Sequence, residues 1–436
     1  MTVQQAGVAA LLMMIALPGV SALDDVTDFS VTTNAPADVE NVFCGFVAAT
    51  NAVKHWCEPL EWPKLTLEQK AALAAENAEA LALFAEACRR PQWYQSDARQ
   101  EGAFQMFPIA EFMRMIKLQE ARANALIERG EIGAAVDCFD ELLAIARTIQ
   151  TDAETIVCWL VADSARGMAC DLAARIVESG RATAADLRRL LDGLSGFDEA
   201  ARRRGLRQMV NNEYRYNFEN GLRIFEAEQL KSRTGVLAQL YFNLIYKPVR
   251  TRKIYRDWLV KVKAALSDDY DKAAGEMLTA EFDKATAVPE SRLRRLVPSN
   301  GLGRTLLGAL AVSYERIAVS VAHGDYQRRA TAVVVAATLC KRKNGDFPDS
   351  LEALVPEFLP SVPKDPFGHG AALQYDKARG IVWTVGPEGD FNGEKLPGTD
   401  TYGRNFKYVM NLDGTSTYQP KGRTPGMCNY PVSNIQ

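Results

Sequence analysis

Three glutamates come nearest to a catalytic arrangement in this chain. Glu213, Glu219 and Glu226 punctuate the segment NNEYRYNFENGLRIFEAEQL. A carboxyl buried among those tyrosines and phenylalanines would lose the water that stabilises its charge. It would keep its proton and could act as a general acid on a glycan. On the outer side of an amphipathic helix the same residues would be a solvated face, and this plainer reading is the preferred one. Other chemistries lack their residues. The three histidines, His55, His323 and His369, lie far apart and form no HExxH pair, so zinc-protease spacing is missing. His369, in a Pro/Gly turn, reads as an exposed side chain. There is no G-x-S-x-G elbow and no GxxxxGK[ST] loop. GLGRTLLG, from Gly301, has the glycines of a dinucleotide fingerprint. It follows prolines rather than a strand and its third glycine is displaced, so it reads as a helix start.

The eight cysteines contain no C-x-x-C, which argues against a zinc ribbon or a thioredoxin-type motif. Cys138 and Cys158 fall on apolar helix faces and read as core thiols. Cys44 with Cys57 is the preferred disulfide; the remaining connectivity is open.

At 436 residues, 47% hydrophobic and 24% charged, the composition is globular and long enough for more than one domain. A net charge of −3 provides no global basic field for nucleic acid. The basic runs Arg202–Arg204 and Arg292–Arg295 sit beside apolar residues at helical spacing and read as solvated helix faces. Near the start, VAALLMMIALPGVSA (8–22) combines an apolar run with small residues before Leu23. It is shorter than the roughly 20 residues a membrane span needs, and it fits a secretory signal cut after Ala22. The preceding MTVQQAG has only its free amine as positive charge, and the competing reading is a buried N-terminal helix.

From Leu65 to about Lys343 the pattern is helical. Thr66 with Gln69, three residues on, has capping-box chemistry, and Thr183 can cap a second helix. Two apolar-periodic runs meet at RGEIG, where Gly130 can end the first. Ala121, Ala125 and Ala135 would let this pair pack closely against Phe139 and Leu143. The pair resembles a single tetratricopeptide-type hairpin. Tyr214, Phe218, Leu222 and Phe225 form one stripe. A last long helix ends at Gly345, with Gly324 as a candidate break.

The chain then changes character. NGDFPDSLEALVPEFLPSVPKDPFG (344–368) holds five prolines. Asp349 has N-cap chemistry, with Glu352 completing a capping box for a short helix that Pro356 stops. Pro360, Pro363 and Pro366 keep the following chain extended. Leu351, Leu354, Val355, Phe358 and Leu359 are expected to fold onto the long helix. Beyond Gly368, ALQYDKARGIVWTV switches to period 2 and reads as a β-hairpin, with Ile381, Trp383 and Val385 on one face.

This order of events resembles the globular module of the type II secretion major pseudopilins. The residues that carry the resemblance are Phe347-Pro348, Leu351, Leu354-Val355-Pro356, Phe358-Leu359-Pro360, Asp365-Pro366-Phe367-Gly368 and Gly386-Pro387-Glu388-Gly389. They span about residues 330 to 393. The resemblance implies a calcium ion in the loop after the hairpin, where Asp390, Asn392, Glu394 and Asp400 offer the oxygen ligands calcium prefers. The chain departs from that family at its start, which has no Gly-Phe-Thr-Leu-x-Glu-like segment. Some 300 residues precede the module, so polymerisation as a pilus subunit is not expected. The whole arrangement resembles large envelope proteins of planctomycete-like bacteria.

The expected fold class is α+β. A signal (1–22) is followed by an all-α domain of helical hairpins (23–300). A pseudopilin-like long helix with a small antiparallel β module and tail completes it (301–436). The expected role is that of an exported, non-enzymatic protein-interaction protein of the periplasm or exterior. Its partner would be an envelope protein, with no nucleic acid and no membrane span after signal cleavage. The alternative is an envelope hydrolase of glycan or peptide that uses a buried carboxylate. Mass spectrometry of the protein from its native cells should find Leu23 as the first residue; an intact Met1 or Thr2 would exclude signal cleavage.

Overall fold

The protein is described here from a computed structural model, which covers residues 29, 31, 34–58, 61–96, 108–196, 199–232, 236–266, 270–287, 300–310, 314–393 and 408–415. The signal segment 1–22, the run Arg292–Arg295 and the prolines 289 and 298 lie outside these residues. The helices are α1 (Val42–Asn51), α2 (Leu67–Glu76), α3 (Ala78–Ala87), α4 (Ile109–Arg129), α5 (Ile132–Asp152), α6 (Ile156–Glu178) and α7 (Ala184–Ser195). They continue as α8 (Glu199–Asn212), α9 (Glu219–Ser232), α10 (Val236–Ile245), α11 (Pro248–Ala265), α12 (Lys272–Thr286), α13 (Gly301–Leu310) and α14 (Tyr314–Asn344). A π turn, Glu213–Phe218, joins α8 to α9.

Local chemistry sets several of these boundaries. The Gln69 N–H donates to Thr66 Oγ1 at 3.1 Å, and the Thr66 N–H donates back to Gln69 Oε1 at 2.9 Å. Thr183 and Asp186 form the same reciprocal pair at the head of α7. Gly130 ends α4 in the left-handed region at φ 78°, which a side chain would disfavour. The chain turns there, and α5 runs back along α4. Helices α4, α5 and α6 pack in sequence, and α7 packs back against α5, with Phe139 and Leu143 buried.

Helix α14 lies at the centre. Thr331, Val333, Val334, Val335, Ala336 and Ala337 are wholly inaccessible, so the helix is covered on all sides. That is the pattern of a core helix rather than a surface one. One side meets α6 and α7; the other meets the β module. Gly324 does not break it. A Cβ there would stand 1.4 Å from Arg166 Nη2, so the glycine makes room for a guanidinium from α6. Arg166 is 1% exposed and pairs with Asp163 on its own helix and with Asp325 on α14, the latter at 3.5 Å. Arg202 of α8 also pairs with Asp325, and its Nη2 donates to the Val321 carbonyl at 3.1 Å. Arg202 is therefore buried, contrary to the solvated face expected of its run. Its charge is consumed by a carboxylate the sequence places 123 residues away.

The β module is a three-stranded antiparallel sheet in the order β1 (Gln374–Asp376), β2 (Ile381–Trp383), β3 (Val409–Asn411). Tyr375 faces Val382, and Val382 faces Met410. Period 2 sorts β2 into two faces. Val382 joins the main core, whereas Ile381 and Trp383 form a small outer cluster with Val409. Val385 packs against the main core and not with Ile381 and Trp383. The strand ends at Trp383, so the alternation expected to carry Val385 onto their face is lost.

The proline-rich stretch is fixed to the helix. Leu351, Leu354, Phe358 and Leu359 are buried; Val355 is only half-buried. Pro356 is exposed and follows a cis peptide bond, and Pro366 is half-buried. The short helix is a 3-10 turn, Leu351–Leu354, but the capping expectation fails: its N-cap position is Ser350, whose side chain makes no capping bond. Asp349 instead accepts from Lys377 Nζ of the hairpin turn at 2.6 Å. The anchor is Asp365, 3% exposed. Its carboxylate accepts from Thr384 Oγ1 at 2.6 Å, the Val385 N–H at 2.8 Å and the Phe367 N–H at 3.0 Å. The buried residues on both sides of residue 300 belong to one hydrophobic cluster.

In equilibrium urea unfolding of the full chain, Leu354→Ala should cost roughly 2–5 kcal/mol. Asp349→Ala should leave the midpoint essentially unchanged, because its carboxylate is exposed and Lys377 keeps Asp346 as a partner. Arg166→Met removes a guanidinium shared by Asp163 and Asp325, which keep Gln150 and Arg202 as partners, and should cost about 3 kcal/mol. A near-neutral Leu354→Ala would show the stretch to be a loose tether.

Candidate functional site

The three glutamates are not a solvated face. Glu213 and Glu219 are 2% and 1% exposed. The π turn admits an extra residue, which rotates Glu213 inward beside Tyr214, Tyr216 and Phe218. Glu213 Oε2 accepts the Ile156 N–H at 3.0 Å at the head of α6, and Oε1 accepts from Asn217 Nδ2 at 2.6 Å. Burial pushes its pKa up, with those two hydrogen bonds opposing. Glu219 and Glu226 clamp one guanidinium. Arg252 Nε reaches Glu219 at 3.0 Å, while Nη1 and Nη2 reach Glu226 at 2.8 and 3.0 Å. The Tyr246 hydroxyl also donates to Glu226 at 2.7 Å. All three carboxylates therefore have partners from other parts of the fold or from the same turn.

A different constellation opens to solvent. Helices α2, α4 and α6 enclose a cleft of about 990 Å³, the size of a small-molecule site. Trp62, Ala121, Ile127 and Met168 supply buried apolar wall. Lys70 enters from α2, Lys117 and Glu120 from α4, and Arg175 from α6. Arg175 is occupied: Nη2 pairs with Glu120 at 3.1 Å and Nη1 donates to Asn124 Oδ1 at 2.7 Å. Burial pushes the Glu120 pKa up, with Arg175 opposing. Burial lowers the pKa of both Lys70 and Lys117, although Glu120 pulls each the other way. Lys70 is 7% exposed, with its Nζ 5.5 Å from the centre of the Trp62 ring.

No residue of this cleft stood out in the sequence as functional. One signal was available. Lys70 occupies the stripe Lys70, Ala74, Asn77, Leu81, all four of which are buried. A lysine in line with core positions at i+4, i+7 and i+11 is out of place on a plain amphipathic helix.

The remaining candidates stay apart. His55 is exposed beside Glu76 at 3.4 Å, His323 packs against Tyr326 and Tyr408, and His369 sits exposed at φ 48°. Cys44 and Cys57 are free thiols, as are Cys88, Cys138, Cys158, Cys170 and Cys340, so the expected Cys44–Cys57 bond is not formed. Cys44 Sγ instead lies 3.6 Å from Asp38 Oδ1. Cys428 lies outside the described residues. In the calcium loop Asp390 and Asn392 are exposed, and Glu394 and Asp400 lie outside the described residues. Glu388 is paired with Lys272 at 2.5 Å. Calcium takes about six to eight oxygens, and two of the four expected ligands fall outside the described residues. Among the described residues no group of three or more His, Cys, Asp or Glu is arranged to hold a metal, and no helix is long and apolar enough to cross a membrane.

The raised pKa of Glu213 makes a signed prediction. The folded state binds this proton more tightly than the unfolded chain, so the associated stability is present at low pH. It is lost as pH rises from the ordinary glutamate range through the raised folded value. Glu213→Gln removes that loss. Urea midpoints at about pH 4 and about pH 8 should move in the variant's favour at the higher pH; a parallel shift at both would refute the assignment. No protein-family model, no curated protein and no solved structure matches this chain.

Proposed function

We propose that this is an exported, non-enzymatic protein of the cell envelope that works by binding. In this reading the helical body and the β module are contact surfaces for an envelope protein. The β module is related to the globular module of the type II secretion pseudopilins. The observation that carries the reading is the state of the buried carboxylates. Glu213, Glu219 and Glu226 are each bound by structural donors, and Glu219 and Glu226 share the fixed charge of Arg252. Support for the pseudopilin relation is narrower: the Asp365-Pro366-Phe367-Gly368 turn and the Leu354 segment are folded between the long helix and the hairpin.

One observation favours a second reading. Glu213 holds its proton more tightly than an ordinary glutamate, as a general acid for glycan or peptide hydrolysis would. Incubation of the purified chain with isolated cell-wall material separates the two. The binding reading expects no release of reducing sugar or free amine above a heat-treated control. Release by the wild type that Glu213→Gln abolishes would replace it with the hydrolase.

A further inference from the structure

The cleft between α2, α4 and α6 contains two lysines whose nearest acid, Glu120, is already held by Arg175. Arg175 is taken by Glu120 and Asn124. Arg181 donates to the Ile127 and Glu128 carbonyls at 3.1 and 3.0 Å, and Arg129 pairs with Glu131 at 2.6 Å. The two lysines are left. Among the described residues neither the Lys70 nor the Lys117 ammonium makes a hydrogen bond or an ion pair. Lys70 is more than nine-tenths buried, with its ammonium beside the face of Trp62 and under the pull of Glu120 without a direct ion pair. A ring face satisfies part of what a buried ammonium loses on leaving water. Buried charges are otherwise paired, because an unpaired one is costly. An anion seated between the lysines would remove that cost.

The rest of the cleft is too large for an anion alone. At about 990 Å³ it would hold an inorganic ion and leave most of its apolar wall wet. Ala121, Ile127 and Met168 on that wall favour an apolar body attached to the anionic group.

We propose that this cleft binds an amphiphile with one anionic head group, which Lys70 and Lys117 receive, and an acyl-like body laid along α4 and α6. The inference goes beyond the envelope reading and does not depend on it. It concerns the purified chain alone and holds whether or not the protein is exported.

The test is isothermal titration of the full chain with dodecanoate, dodecyl phosphate, 1-dodecanol, acetate and inorganic phosphate, each below its micelle concentration. Saturable binding of either anionic amphiphile is expected, with the tighter of the two identifying the head group as carboxylate or phosphate. Lys70→Met keeps the bulk of the stem and removes the charge. It should weaken that binding by about ten-fold or more, while the ligand-free variant melts no lower than the wild type. Ala125→Trp narrows the cleft without touching the lysines and should also weaken it. Dodecanol binding as tightly as dodecanoate would overturn the proposal. So would acetate or phosphate matching the amphiphiles, unchanged affinity in a folded Lys70→Met, or no binding of either anionic amphiphile.

Discussion

The structure depends on neutralising one guanidinium. Arg166 is 1% exposed in the middle of α6, a position where an isolated charge would be prohibitive. Its compensation comes from Asp163 on the same helix and Asp325 on α14. Asp325 is shared with Arg202 of α8, so three helices meet at two carboxylates. Burial alone would raise the Asp325 pKa, but Arg202, Arg166 and Arg328 outweigh it and hold the carboxyl ionised. The excess positive charge is spread onto backbone oxygens. Arg202 reaches the Val321 carbonyl, and Arg328 Nη1 donates to the Leu194 carbonyl at 2.8 Å. The alanines and valines of α14 could meet α6 in more than one register. Sliding α14 by one turn would move Asp325 by about 5.4 Å, out of reach of both guanidiniums. Gly324 belongs to the same device, since any side chain there would displace the arginine.

The β module uses the same logic on a smaller scale. Its strands are three residues each and would not hold together alone. Asp365 ties the extended proline stretch to the end of β2 through three donors, and Arg329 of α14 donates to the Lys364 carbonyl at 2.8 Å. Leu354 and Val382 then complete the far side of α14. The central helix is therefore roofed by the segment that follows it, which is why the two halves of the chain share one core.

Charge accounting also separates the two candidate sites. The carboxylates of the α8–α9 region face donors that the fold supplies: Ile156, Asn217, Arg252 and Tyr246. Their burial is explained by structure. The lysines of the α2–α4–α6 cleft face an apolar wall and an ion pair already closed between Glu120 and Arg175. Those amines have no hydrogen bond or ion pair of their own, and that difference directs attention from Glu213 to Lys70.

The sequence by itself determined the local events. Thr66 and Thr183 start their helices because the capping residue and its reciprocal partner are three positions apart. Gly130 ends α4 because only glycine is at ease in the left-handed region. The prolines after Asn344 end the helical run, and period 2 locates β1 and β2. The long-range pairings were decided only by the tertiary structure. Asp349 carries capping chemistry, yet Lys377, 28 residues on, takes its carboxylate. Gly324 looks like a break until Arg166 fills the space beside it. Arg202 and Glu213 look like surface charges until Asp325 and the Ile156 N–H come to them from other helices. Caps and turns act within about four residues and are visible in the order of the chain. The burial of a charge depends on which distant group arrives to compensate it, and that is a property of packing.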